Sequence, residues 1–598
     1  MFRRQGKAPL HAATDMSRVE KTAQTAAPSI DWVLPEAFSE QHGRPVVFGP
    51  SARPLWGRLH ETRRAVCGAV VLCAPWGYEE NCAALTFSQL ARELAIAGFE
   101  VLRFDYDGCG NSYGDAYDPD RLAAWTTSCQ LAIDHMAGRT GCKVDVIGLR
   151  LGAALTVLAS SHTRIGAAVL WDPVVSGKRY LRALRAMEVM GVAAAPDPED
   201  AGSLVTIGNP MTSATVADLD ALNIQSIGAA NIERALIISR PGAADPRRLK
   251  STLDTLGVQT IVEEHTGTDK LLDTAAEQAV MPQNITRRIV DFITASAAGS
   301  ASSRRAPLPT ATRLEAPDGS WAEEHYSLGV QSLSVVLTVP RNVTREGVVV
   351  MTNNGVARSI GPARVWVLWA RRLAAMGITS VRLDFSGLGD SGVRPGQTPG
   401  VHYPIEAIDD LQLVIADLAA RRPGPAFALG LCSGAFLNLD AMAAGAGIRG
   451  AVSINPQLFY VPDAPGSKHS RRRAAPPTHP WWQRFMENTR VGRRLARELP
   501  FPAWWMLARL GLQPSPIQGA AKAAAGAGPV LLIYGDDNLG LERLRQRDPG
   551  AIRAWVEKGQ MVIVEGLDHS MFDVRSRHQV EAIAHQFLLK HLPLRTTE

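Results

Sequence analysis

A cysteine held between two glycines, in the stretch GLCSGA (430–435), is the residue of this chain best placed for covalent chemistry. Gly430 and Gly434 flank Cys432. A side chain at the tip of a sharp strand-to-helix turn occupies a strained backbone conformation, and a Cβ at either flank would collide with the neighbouring strand or helix. A helix beginning near Ser433 would place Cys432 at its positive end, where the macrodipole favours thiolate over thiol. Such a thiolate attacks acyl carbonyls and forms an acyl-thioenzyme. The same turn occurs earlier, in VIGLRLGA (146–153), with Arg150 at the tip. A guanidinium stays protonated and attacks nothing, so this first turn reads as non-hydrolytic.

The elements that must carry the two tips recur in one order, offset by roughly 280 residues. In the first half GAVVLCAP (68–75) leads into the loop WGYEEN, a helix-like LTFSQLARELAIAG (85–98), and a strand FEVLRFDY that ends in the turn DGCGNS. In the second half GVVVMTN (347–353) precedes NGVARSIGPAR, VWVLWARRLAAMG, ITSVRLDF and SGLGDS. Each half then has its elbow, KVDVIGLRLGA or AFALGLCSGA, followed by a buried strand, AAVLWDP (167–173) or GAVSINP (450–456). Short apolar strands alternating with amphipathic helices predict an α/β protein of two tandem domains, each a mostly parallel sheet covered by helices. The domains are expected over 45–294 and 321–598, behind a disordered leader over 1–44 and joined by an Ala-, Ser- and Pro-rich linker over 295–320. An insertion at about 457–527 is long enough to fold over the second site as a helical lid.

Composition narrows the classes. The chain of 598 residues suits two cores, and its apolar fraction of 46% with 20% charged residues is that of a globular protein. No apolar run approaches the roughly 18 residues of a membrane helix, so no membrane span is expected. The net charge of +5 comes without a basic stripe interleaved with aromatics, which argues against nucleic acid as a partner. The N-terminus has early arginines but no apolar segment behind them, and the seven cysteines show no metal-like spacing, which together point to a reduced, cytoplasmic location. The turn DYDGCGNS (105–112) lacks the ligand spacing and terminal Glu of a calcium loop. Neither a metal nor a cofactor is expected.

The order of strand, G-x-nucleophile-x-G turn, helix, acid-bearing strand and final Gly-x-x-His resembles the α/β-hydrolase fold, specifically its serine-aminopeptidase-like and exosortase-associated hydrolase branch. Its most specific residues are the D-x-x-G-x-G-x-S-like turns (Asp105 to Ser112, Asp384 to Ser391), the loops PWGYEEN and NNGVARSIGPAR, and the two elbows. The resemblance covers nearly all of both halves.

The resemblance implies a triad around Cys432. The family's histidine falls on His569 in EGLDHSMF (565–572), as general base and then general acid. After LLIYG (531–535) the family has an Asp three residues past the glycine, where this chain has Asn538 preceded by Asp536 and Asp537. Either the acid is shifted to Asp537, the choice preferred here, with Asp536 as the other carboxylate, or the set is Cys-His-Asn as in papain-type enzymes. The oxyanion hole would pair the backbone N–H of Ser433 with one from Asn354, Gly355 or Val356. Arg358 and Arg364 are expected to hold an anionic part of the substrate. Trp481, Trp482, Trp504 and Trp505 of the lid are expected to line an acyl or aromatic pocket.

In the first half Lys270, in TGTDKLLD, stands where His569 stands in the second. Arg150 either fills the vestigial pocket by pairing with Glu79, Glu80 or Asp172, or joins Lys270 in an anion site for a phosphopantetheine, a carboxylate or an acidic loop. The chain thus reads as an acyl hydrolase or acyltransferase of thioesterase or esterase type, taking an acyl substrate such as a carrier-protein or CoA thioester. The alternatives are a dienelactone-hydrolase-like enzyme acting on lactones or esters, and a non-catalytic binding scaffold in a biosynthetic cluster.

Overall fold

The computed structural model describes residues 43–595, apart from 188–199, 296–311, 457–525 and the single positions 201, 244, 353, 356, 402, 403, 405 and 548. The expected leader up to residue 42, much of the expected linker, Val356, and the expected lid with Trp481, Trp482, Trp504 and Trp505 lie outside the described residues.

The first half supplies β1 (Arg44–Phe48), β2 (Leu55–His60), β3 (Gly68–Cys73), β4 (Phe99–Phe104), β5 (Val144–Leu149) and β6 (Ile165–Trp171). A hairpin of β7 (Leu204–Thr206) and β8 (Asn209–Met211) follows, then β9 (Ile232–Ser239) and β10 (Gln259–Glu264). The sheet runs β1-β2-β4-β3-β5-β6-β9-β10, antiparallel at β1 and β2 and parallel beyond. The second half supplies β11 (Thr312–Glu315), β12 (Trp321–Leu328), β13 (Leu333–Pro340), β14 (Val348–Thr352), β15 (Thr379–Leu383), β16 (Ala426–Leu431), β17 (Ile448–Ile454), β18 (Val530–Gly535) and β19 (Met561–Val564). Its order, β11-β12-β13-β15-β14-β16-β17-β18-β19, repeats the first sheet with one more antiparallel edge strand. The fold class expected from the sequence therefore holds.

Period-two burial shows why both sheets need helices on two faces. Along β3, Ala69, Val71 and Cys73 enter one core and Val70 and Leu72 the other. Along β14, Val348 and Val350 divide from Val349 and Met351 in the same way. Strands buried on both sides read as unbroken apolar runs, which is how they appear in the sequence.

Two local expectations shift. The helix expected from residue 85 starts at Tyr78, because Gly77 (φ 68°) turns the chain and Glu79 and Glu80 suit the positive end of a helix. Part of the expected linker is β11, whose Thr312 hydroxyl donates to Pro45 O (2.7 Å) across the junction of the halves.

The halves meet through their two D-x-x-G-x-G-x-S turns, which fold alike: Asp105 accepts from Asn111 N (2.7 Å) and Asp384 from Asp390 N (2.9 Å). Across the junction Arg103 donates to Asp390 (2.7 Å) and Arg382 donates to Asn111 (2.8 Å). Residues 279 positions apart thus exchange partners. Fully buried Glu323 accepts from Arg371 (2.8 Å) and Arg382 (2.8 Å). Burial raises its carboxyl pKa, but the two guanidiniums outweigh that and bring it down to about 2.

Candidate active site

β16 ends at Leu431, Cys432 takes φ 52° and ψ −113°, and the helix Ser433–Ala443 begins at the next residue. A non-glycine side chain at positive φ is strained and persists only where its surroundings hold it. Here Cys432 N donates to Ile454 O (2.9 Å) on the neighbouring strand. A Cβ on Gly430 would lie 2.7 Å from Ala435 N, so the flank admits only glycine. The turn aims Cys432 Sγ at His569 Nε2, 3.0 Å away.

The loop bearing His569 is held by a residue that sequence reasoning missed. Asn455, at φ 47° just after β17, donates to the carbonyls of Asp568 (3.1 Å) and His569 (3.1 Å) and accepts from Gly535 N (2.9 Å). One amide thereby ties β17, β18 and the histidine loop together. Its signal was an asparagine at a strand end, a residue type that tolerates left-handed backbone. Asp568 also braces the loop, accepting from Ser570 N (2.8 Å) and Asp573 N (2.8 Å).

Desolvation lowers the pKa of His569, opposed by the negative charges of Asp568 and of Glu277, which the first half contributes. Tyr78, also from the first half, sets its ring edge-on to Phe572 in the histidine loop, 6.4 Å between centroids.

Among the three candidates for the third member, Asn538 reaches His569, its Nδ2 lying 3.0 Å from Nδ1. Asn538 N donates to Gly535 O (3.1 Å), a tight turn that carries the third residue past the glycine inward, and Asn538 is buried. The same turn leaves Asp537, preferred from the sequence, exposed. Asp536 instead accepts from Gly566 N (2.9 Å) at the base of the histidine loop.

Of the expected oxyanion donors, Ser433 opens the helix, and its hydroxyl accepts from Gly355 N (2.7 Å). Among the described residues, the buried Asn354 Oδ1 has no hydrogen-bond partner.

Arg358 and Arg364 are not available to a substrate. Both are buried at the junction of the halves, Arg358 paired with Glu80 and Arg364 donating to the carbonyls of Gly108 (2.8 Å), Gly110 (2.7 Å), Ser112 (2.5 Å) and Gly114 (2.8 Å). Local sequence reading cannot see partners some 250 residues away, and it assigned two junction cations to the site.

The first elbow keeps the same backbone. Arg150 takes φ 53° and ψ −116°, and its N–H donates to Trp171 O (3.0 Å). Its guanidinium donates to Glu79 (3.0 Å) and Asp172 (3.4 Å), and Arg240 also donates to Asp172 (2.7 Å). Two carboxylates saturate the cation, so Arg150 fills the pocket, while Lys270 is exposed on the surface. A joint anion site of the two is not formed.

Among the described residues, no group of three His, Cys, Asp or Glu could hold a metal ion, and no helix is long and apolar enough to cross a membrane.

Residues 354–584 match the model of the alpha/beta hydrolase family. Similar solved structures include DcsB in complex with a substrate analogue, at 14% identity over 43% of this chain and 100% of DcsB with a TM-score of 0.32. Est1E from Butyrivibrio proteoclasticus is 15% identical over 42% of this chain and 97% of its own, with a TM-score of 0.29. The Pyrococcus furiosus esterase Pf2001 is 15% identical over 43% of this chain and 93% of its own, with a TM-score of 0.31. No curated protein matches the chain.

Proposed function

We propose that residues 321–598 form a hydrolase-fold unit that acts on acyl substrates through a Cys432 acyl-enzyme, as a hydrolase or acyltransferase of thioesterase or esterase type. The observation that carries this reading is the 3.0 Å separation of Cys432 Sγ and His569 Nε2 at a strained elbow. The match of residues 354–584 to the alpha/beta hydrolase family supports a hydrolase in general.

In this reading the Cys432 thiolate, favoured at the start of the helix Ser433–Ala443, attacks the acyl carbonyl. The developing oxyanion takes the Ser433 N–H and the Gly355 N–H once the latter releases the Ser433 hydroxyl. His569 faces the sulfur through Nε2, and Asn538 orients it. The acyl donor is a small or carrier-bound thioester or activated ester, and a cytoplasmic location suits a nucleophile that must stay reduced. Residues 45–294 act as a non-catalytic partner domain, consistent with the saturated Arg150.

The test is intact-protein mass spectrometry after mixing the protein with a panel of acyl thioesters and activated esters, alongside Cys432→Ala and His569→Ala. The reading expects an acyl adduct on the wild type that vanishes in Cys432→Ala and forms more slowly in His569→Ala. No adduct with any donor would turn the interpretation to a non-catalytic binding scaffold.

A further inference from the structure

The hydrogen bonds of Asn538 fix which nitrogen of His569 carries the proton. Gly540 N lies 2.8 Å from Asn538 Oδ1. A backbone N–H can only donate, so the atom it meets is the amide oxygen. That leaves the amide NH₂ 3.0 Å from His569 Nδ1. An amide NH₂ offers no lone pair, so Nδ1 accepts and carries no hydrogen. In the neutral ring the hydrogen then sits on Nε2, the nitrogen that faces Cys432 Sγ at 3.0 Å.

Rotating the amide would strand a buried backbone N–H, which is costly. The surrounding chain resists rotation as well. Asn538 is anchored through N to Gly535 O (3.1 Å) and through O to Glu542 N (2.9 Å). A Cβ on residue 540 would stand 2.9 Å from Asn538 Oδ1, so a glycine is what allows this close bond. An aspartate at 538 would do the opposite: its second oxygen would accept from Nδ1–H and leave the Nε2 lone pair free to act as a base.

We propose that Asn538 is a positioning residue that holds His569 as a hydrogen-bond donor to Cys432, and that the site therefore favours thioesters over alkyl esters as acyl donors. This rests on the proposed role of Cys432. The thiolate adds to the thioester carbonyl carbon, a C–S bond forms, and the C=O pair moves to oxygen. The pair returns, the original C–S bond breaks, and the leaving thiolate carries off an electron pair equivalent to the one brought in. No proton is taken up or released in this exchange. An alkoxide leaving group needs a proton, which a neutral Nε2–H imidazole supplies only by becoming an anion. Return of the acyl group to a second thiolate follows the same balance. Attacking water must lose a proton and finds no base at Nε2, so transfer between thiols outpaces hydrolysis.

The charged groups around His569 are Cys432 on the elbow, Asp568 on its own loop and Glu277 from the first half. Two measurements test the proposal. The first is the pH profile of Cys432 alkylation by iodoacetamide, followed by peptide mass spectrometry, with ¹⁵N-histidine NMR of the wild type assigned by a His569→Gln control. The expected wild-type profile has one midpoint, with reactivity falling steadily below it, and the NMR signals place hydrogen on Nε2. Asn538→Asp should create a thiolate–imidazolium pair and raise alkylation at pH 6 by about tenfold or more. The second measurement compares a thioester and an alkyl ester of the same acyl group. Asn538→Asp should shift the ratio of kcat/KM values toward the alkyl ester by about tenfold or more.

A wild-type profile that already shows a reactive plateau at acid pH, or hydrogen on Nδ1 in the NMR, would overturn the tautomer. A wild-type preference for the alkyl ester would overturn the donor class. If the alkylation and NMR results are as expected but no donor acylates Cys432, the proposed function fails while the tautomer stands.

Discussion

Two elbows of one chain share a backbone and differ in everything placed on it. Arg150 and Cys432 sit at φ 53° and 52°, ψ −116° and −113°, each donating its N–H to the next strand. The strained turn therefore does not depend on a nucleophile. It is set by the close packing of strand on helix that the flanking glycines permit: a Cβ on Gly148 would lie 2.6 Å from Ala153 Cα, and one on Gly430 2.7 Å from Ala435 N. What separates the halves is the ring of groups around the tip. In the first half Glu79 and Asp172 close on a cation, and in the second a thiol faces a histidine that an amide holds from its other side.

Exchanging tip residues tests that division most severely. Cys432→Ala should remove acylation entirely, and adding Arg150→Cys should not bring it back, because among the described residues the partners at the first tip are Glu79 and Asp172, not an imidazole. An adduct on the introduced cysteine, seen by peptide mass spectrometry, would show that the elbow alone suffices. Next in size is the junction. Glu323→Ala would leave Arg371 and Arg382 buried without their carboxylate, and should cost about 3–5 kcal/mol in denaturant unfolding. The pH dependence has a definite sign. Glu323 titrates at about 2 when folded against an ordinary 4.5, so its stabilisation is complete above about pH 4.5 and is lost as pH falls toward 2. The variant's stability should therefore differ most from wild type at neutral pH and converge on it in acid.

Arg150→Ala should be milder, about 1–3 kcal/mol, because Glu79 loses its partner while Arg240 still holds Asp172. The Cys432 adduct should form as in wild type, which separates the first pocket's filling from the second site's chemistry. The smallest effect is expected from Asp537→Ala, within about 0.5 kcal/mol and with acylation within about twofold, since the side chain is exposed. A large loss there would return the triad acid to Asp537.

The sequence made the fold legible because both of its signals are local: apolar runs of strand length, and glycine-flanked tips whose sterics admit few alternatives. The pairing of Cys432 with a distant histidine came from the resemblance, and geometry brings those two together at 3.0 Å. Choosing among Asp536, Asp537 and Asn538 was beyond the sequence, because one tight turn decides which of three consecutive polar residues points inward. Glu277 and Tyr78 were missed, and Glu80 was offered to Arg150 instead of Arg358, for another reason. They belong to the first half and act on the second, at separations where composition and period carry no information.

Glu80, near the start of the helix Tyr78–Ala97, and Arg358, in the loop after β14, pair with each other across the junction, 278 residues apart. The contact joins unlike residues of the two halves, so the junction works as a heterodimer carried on one polypeptide. Each half thus supplies one charge of the pair, and removing either would leave the other at the junction without its salt-bridge partner.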